Sequence, residues 1–137
     1  MIMPRASKGS TAHREVHGCR LGITARDKAL SGPVGPMGSS PYLLVFEGSS
    51  DEVTVLNNPG VGHGSQGGVM MAEAMINIGV DVVITGSIGN ISLNKLKGAG
   101  IRVHGGCTET VSEAMKKCLR DELPECQHAV FAGFLGI

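Results

Sequence analysis

The chain predicts a mixed α/β domain, and three stretches carry that prediction. "PYLLVFEGSSDEVTVLNN" reads as two strands joined by a Gly-Ser-Ser-Asp turn. "VDVVITG" is a continuous apolar run of the kind found in a strand covered on both faces. Helical periodicities stand on either side of that run, so the second half reads strand, helix, strand, helix with at least one right-handed parallel crossover. An antiparallel first half followed by alternating strands and helices is economically satisfied by one mixed sheet.

Taken in order, residues 1–20 are polar, basic and aperiodic and are expected to form a flexible arm outside the fold. "RLGITA" is a short apolar run bounded by charge, expected as a strand, and "RDKALSGPVGPMGSS" is a Gly, Pro and Ser-rich loop. The hairpin follows. "GGVMMAEAMINIG" then places Val69, Ala72, Met75 and Ile76 on one helical face, with Gly79 as the stop. "NISLNKLKGAG" repeats the pattern with Ile91, Leu93, Leu96 and Ala99, and "IRVHGG" alternates apolar inward with polar outward positions. The last helix, in "TETVSEAMKKCLRDEL", opens on a Thr110/Glu113 capping box, with Pro124 as its expected end. Domain limits of 21–123 follow, with residues 124–137 as a C-terminal tail.

Composition narrows the function. The 137 residues amount to one domain with a modest core built from Val, Ile, Leu, Met and Ala, since aromatics make up 3%. Twelve basic and twelve acidic side chains cancel, and base-stacking surfaces are scarce, so neither a nucleic acid nor a membrane surface is the expected partner. Residues 1–20 are net +3 and the rest net −3. Cys19, Cys107, Cys118 and Cys126 show no C-x-x-C spacing, and no apolar run approaches the ~20 residues of a membrane span, so reduced thiols and a cytoplasmic location are expected.

The densest motif is "NPGVGHGSQGGVMMAEAM", where a loop rich in glycine runs straight into a helix. Gly62-His63-Gly64-Ser65-Gln66-Gly67 satisfies G-x-G-x-x-G, yet the next acid, Asp81, begins the following strand instead of ending it, and the preceding strand is the second arm of a hairpin. A dinucleotide site is therefore disfavoured. A triphosphate loop needs a lysine, and none lies between Lys28 and Lys95. What remains is general: bare amides at a helix N-terminus attract an anion, and His63 adds a hydrogen-bond donor or a metal ligand. The plainer alternative is a turn whose glycines only satisfy positive φ. A second loop, "TGSIGN", closes the central strand and opens the next helix in the same way, so the two are expected to converge on one pocket.

"GVGHG" with "GVMMAEAMINIGVDVVITGSIGNISLNKLKGAGIRVH", and "SGPVGPMGSSPYLLVFE" upstream, resembles the dinitrogenase iron-molybdenum cofactor biosynthesis family, which includes nitrogenase cofactor carriers and orange proteins. The resemblance spans roughly residues 21–120. It implies a ribonuclease H-like three-layer fold with a mixed five-stranded sheet containing one antiparallel strand. It also implies non-catalytic carriage or scaffolding of a noncovalently held metal-sulfur cluster, of molybdenum-copper or iron-molybdenum type, with a protein partner for cluster transfer. Carried over by position, Gly62, His63 and Gly64 match the family's glycine-histidine segment and Gly86, Ile88 and Gly89 its second loop; Gly60, Ser65, Gln66 and Gly67, and Ser87 and Asn90, complete the two loops as candidate cluster-binding residues.

The chain departs from that family where Met37-Gly38-Ser39 replaces Phe-Gly-Arg and Gly89-Asn90-Ile91-Ser92 replaces Gly-Pro-Asn-Ala. The lost arginine and the apolar segment Ala129–Ile137 motivate a competing reading: a protein-interaction or regulatory module that has lost the cluster. An enzyme acting on an anionic small molecule would need a proton-transfer residue over the pocket, and no such constellation stands near the loops. Further metal ligands are sought in His104, whose alternative is a solvated strand end, and in Cys107, whose alternative is a turn residue. Cys118 reads as a buried inert thiol, Cys126 and His128 as two ligands lacking partners, and Met37, Met70 and Met71 as thioethers that also serve as core filler.

Overall fold

A computed structural model describes residues 20–48 and 52–131. The basic arm, the Ser-Ser-Asp part of the hairpin turn and the end of the tail lie outside the described residues. The elements are β1 (Arg20–Ala25), β2 (Tyr42–Glu47), β3 (Val53–Asn57), α1 (Gly67–Ile78), β4 (Val82–Ile84), α2 (Asn90–Gly98), β5 (Arg102–His104) and α3 (Val111–Leu119). A single 3-10 turn, Gly64–Gln66, leads into α1.

The five strands form one sheet in the order β3-β2-β1-β4-β5. β2 runs antiparallel to both β1 and β3, whereas β1 with β4 and β4 with β5 are parallel. One antiparallel strand therefore sits in an otherwise co-directional sheet, and the C-terminal ends of β1, β3, β4 and β5 gather at one edge. Every loop of interest leaves from there.

Both faces of the sheet are covered. On one, Met71, Ala72 and Met75 of α1 and Leu93 and Leu96 of α2 pack on Leu43, Val45, Val83 and Val103. On the other, Val111, Ala114 and Cys118 of α3 pack on Ile23, Ala25, Leu44, Phe46, Val82 and Ile84. Period-two alternation explains this, because Val82 and Ile84 point one way and Val83 the other. Full burial of such aliphatic side chains contributes about 1.5–3 kcal/mol each.

Helix boundaries follow the expected chemistry at most ends. Gly79 terminates α1 in the left-handed region at φ 86. Thr110 accepts from the Glu113 amide and Glu113 reaches back, completing the capping box. Two expectations shift. α3 ends at Leu119, before Pro124, because Asp121 takes φ 61 and the amides of Asp121 and Glu122 fold back onto Cys118 and Lys117 carbonyls. In α2, Ser92 faces inward with Leu93 and Leu96, while Ile91 stands 66% exposed. Among the described residues no helix is long and apolar enough to cross a membrane.

Candidate functional site

Three loops meet at the C-terminal edge, and hydrogen bonds lock them together. After β1, the Gly35 amide donates to Thr24 O (3.0 Å), and Thr24 Oγ1 donates to the Gly35 carbonyl (2.7 Å). Thr24 and Thr85 hydroxyls pair at 2.7 Å. Gly86 N–H donates to Gly35 O (2.9 Å) and Met37 N–H to Ser87 O (3.0 Å), joining the loop after β1 to the loop after β4. Asn58, at the end of β3, ties in the third. Its side-chain amide donates to the carbonyls of Met37 (3.1 Å) and Ser40 (2.8 Å), while its Oδ1 accepts from the Gly60 amide (2.8 Å). Burial makes each of these bonds costly to lose.

Glycine is required at these crossings for lack of room. A Cβ on Gly60 would lie 2.0 Å from Gly67 O, and one on Gly38 would lie 2.8 Å from the Gly68 amide nitrogen. A Cβ on Gly68 would lie 2.8 Å from Ser92 Oγ, so the starts of α1 and α2 nearly touch. Gly62 and Gly64, at φ 86 and 55, instead supply positive-φ turns with open space beside them.

The junction opens into a cleft of about 530 Å³. Its lining comes from Met37 and Gly38, from Ser65, Gly68 and Val69, from Ser87, Ile88, Gly89, Asn90, Ile91 and Ser92, and from Phe131. None of these carries a charge. Gly89 is the N-cap of α2 and brings no capping side chain, and its carbonyl takes the first backbone bond of the helix, from Leu93. The amides of Asn90, Ile91 and Ser92 therefore have no intrahelical partner, and they carry the positive end of the helix dipole toward the cleft.

The expected residues fall into four groups. Ser65, Ser87, Ile88, Gly89 and Asn90 line the cleft. Gly60, Gly67 and Gly86 serve backbone contact between loops, while Gly62, His63, Gly64 and Gln66 are exposed and do not line the cleft. His104 and Cys107 are not brought to the loops. Val103 packs on the α1/α2 face, so its neighbour His104 turns to the α3 side, where it is buried instead of solvated. Its Nδ1 donates to the Pro124 carbonyl (3.0 Å), leaving Nε2 without a partner among the described residues. Burial lowers its pKa. Cys107 packs with Val111 and Cys118 and donates to Glu109 Oε1 (2.8 Å). Burial and then that carboxylate push its thiol up to about 12, so it is protonated at neutral pH. Glu109 also holds Lys117. No cluster of three or more His, Cys, Asp or Glu suited to a metal ion exists among the described residues.

Sequence reasoning missed Asn58, the Thr24/Thr85 pair, Gly38, Gly68, Ser92 and Phe131. Asn58 was readable as an Asx residue before Pro59-Gly60. The threonines are 61 residues apart and meet only through strand pairing.

The same architecture occurs in solved structures. The apo orange protein from Desulfovibrio gigas superposes with a TM-score of 0.76 at 24% identity, covering 84% of this chain and 98% of that one. A candidate NifB protein from Thermotoga, of the DUF35 family, is 27% identical with a TM-score of 0.66 over 78% of this chain and 92% of its own. A candidate dinitrogenase from Methanocaldococcus jannaschii gives 0.60 at 11% identity, covering 81% and 97%. No curated protein is significantly similar in sequence. The sequence profile of the dinitrogenase iron-molybdenum cofactor family matches residues 20–121, which takes in the sheet, all three loops and the three helices, and the chain belongs to that family.

Proposed function

We propose that this protein carries or scaffolds a preformed metal-sulfur cluster containing molybdenum with iron or copper, held noncovalently in the loop cleft and passed on to a protein partner in the cytoplasm. The observation that carries this reading is the uncapped start of α2 at Gly89, whose amides open on a cleft shared with the first glycine loop. Such amides favour an anion and bring no charge of their own. A thiometallate spreads its charge over large, polarisable sulfur atoms, so its desolvation costs less than that of a compact oxyanion of equal charge. Amides, the hydroxyls of Ser65, Ser87 and Ser92 and the thioether of Met37 suit it without a counter-ion. His63, His104 and Cys107 are not needed as ligands in this reading, and the uncharged lining suits a ligand held by amides and hydroxyls.

Tetrathiomolybdate, with and without Cu(I), tests the reading when titrated into folded protein under visible absorption and amide NMR. Saturable uptake with shifts concentrated at residues 65–69 and 87–92 is expected. A protein that stays colourless, or shifts scattered over the surface, would count against it.

A further inference from the structure

The family match ends at residue 121, yet the chain returns to the cleft after it. From Pro124 the backbone runs back over the edge of β5, where the Cys126 amide donates to Val103 O (2.7 Å). It then pairs with the second loop in both directions: Ile88 N–H donates to Val130 O (2.6 Å) and Val130 N–H to Ile88 O (2.9 Å). The next residue, Phe131, lines the cleft, 46% exposed at its mouth.

We propose that residues 126–131 are a strap that fixes the second loop and supplies Phe131 as a wall of the cleft, so that a bound anion leaves slowly. The inference rests on the cluster-binding reading for its ligand and on backbone geometry for its mechanism. Ile88 is buried under the strap, and its amide is spent on Val130. The amides left to a ligand are therefore those that follow it, at the start of α2. Cys126 anchors the strap from beneath, its thiol donating to His128 O (2.9 Å) and its side chain lying against Gly105. The ring of Phe131 adds an apolar wall without a charge, in keeping with the rest of the lining.

The test uses the full chain, a deletion of residues 129–137, Val130→Pro and Phe131→Ala. In ligand-free protein, hydrogen exchange at the Ile88 amide is expected to accelerate by about tenfold or more in the deletion and in V130P, and to change little in F131A. Release of tetrathiomolybdate, followed by stopped-flow absorption, is expected to quicken in all three, by about tenfold in the deletion and by a few-fold in F131A. An Ile88 amide that stays protected without the tail overturns the strap, and so does unchanged or slower release. If the intact chain takes up no thiometallate, the cluster reading falls by itself and exchange at Ile88 alone decides the strap.

Discussion

At the edge where its loops gather, the sheet shows a different chemistry on each face. The α1/α2 face offers a cleft of amides, hydroxyls, one thioether and one aromatic ring, with no ionisable side chain. Beyond β5 on the α3 face stand the groups that titrate, His104, Cys107, Glu109, Lys117 and Cys118. Position at a strand end is common to both, so it does not by itself make a ligand site. The parity of the residue along its strand decides, and a shift of one position moves a side chain through the sheet.

Several experiments would break or sharpen this contrast. The largest effect is expected from Gly60→Ala on the cleft face, where the added methyl meets the Gly67 carbonyl at 2.0 Å. Neither backbone can yield, so a loss of roughly 3 kcal/mol or more in urea unfolding is expected. Asn58→Ala should follow, at about 2–4 kcal/mol, because it strands the Met37 and Ser40 carbonyls and the Gly60 amide in a buried setting. A loss below 1 kcal/mol would mean that the loops after β1 and β3 are not held together by that side chain.

The opposite face predicts a pH effect. Burial holds the pKa of His104 below its ordinary 6.5, so the unfolded chain takes up the proton first as pH falls. Its contribution to stability is complete above 6.5 and is lost as pH drops from there toward the lowered value. His104→Asn should flatten thermal stability across that window, and an unchanged slope would assign the effect elsewhere. Cys107, with its thiol near 12, should be about one ten-thousandth thiolate at pH 8. Peptide mapping after brief iodoacetamide treatment of native protein is expected to find it unmodified, and rapid labelling would return it to the candidate ligands. Smallest in stability is Gly89→Ala, where φ is −83 and nothing stands within 4 Å of the new methyl. Unfolding should change by less than about 0.5 kcal/mol. Tetrathiomolybdate uptake should nonetheless weaken, since Gly89 lines the cleft and a methyl there adds bulk beside the amides of α2. G60A and G89A together separate glycines kept for packing from one kept for a ligand.

Glycine illustrates how much of the site was legible. That two glycine-rich loops open α1 and α2 is plain from composition and helical period, and they do share one cleft. Their division of labour is not, because Gly60 and Gly89 differ only in what lies across from them. His63, the most conspicuous residue of the motif, is exposed and does not line the cleft, whereas Ser92, outside the periodic set Ile91, Leu93, Leu96 and Ala99, is buried between α1 and α2. Helical period locates a stripe to within about one position, and a neighbouring backbone chooses between adjacent residues. Phe131 was readable only as part of an apolar tail.

By itself the sequence determined the local grammar: apolar runs for strands, Gly79 and the Thr110/Glu113 box for helix ends, and bare loops ahead of two helices. These depend on neighbours within a few residues, through φ preferences and capping bonds. Tertiary structure alone decided that Thr24 meets Thr85, that Asn58 ties the loop after β3 to the loop after β1, that His104 is buried behind the sheet and that Val130 returns to Ile88. Apart from the local Asn58–Gly60 bond, each joins residues at least 18 apart, whose meeting is set by strand order and the packing of both sheet faces. Nothing in either partner's local pattern names the other.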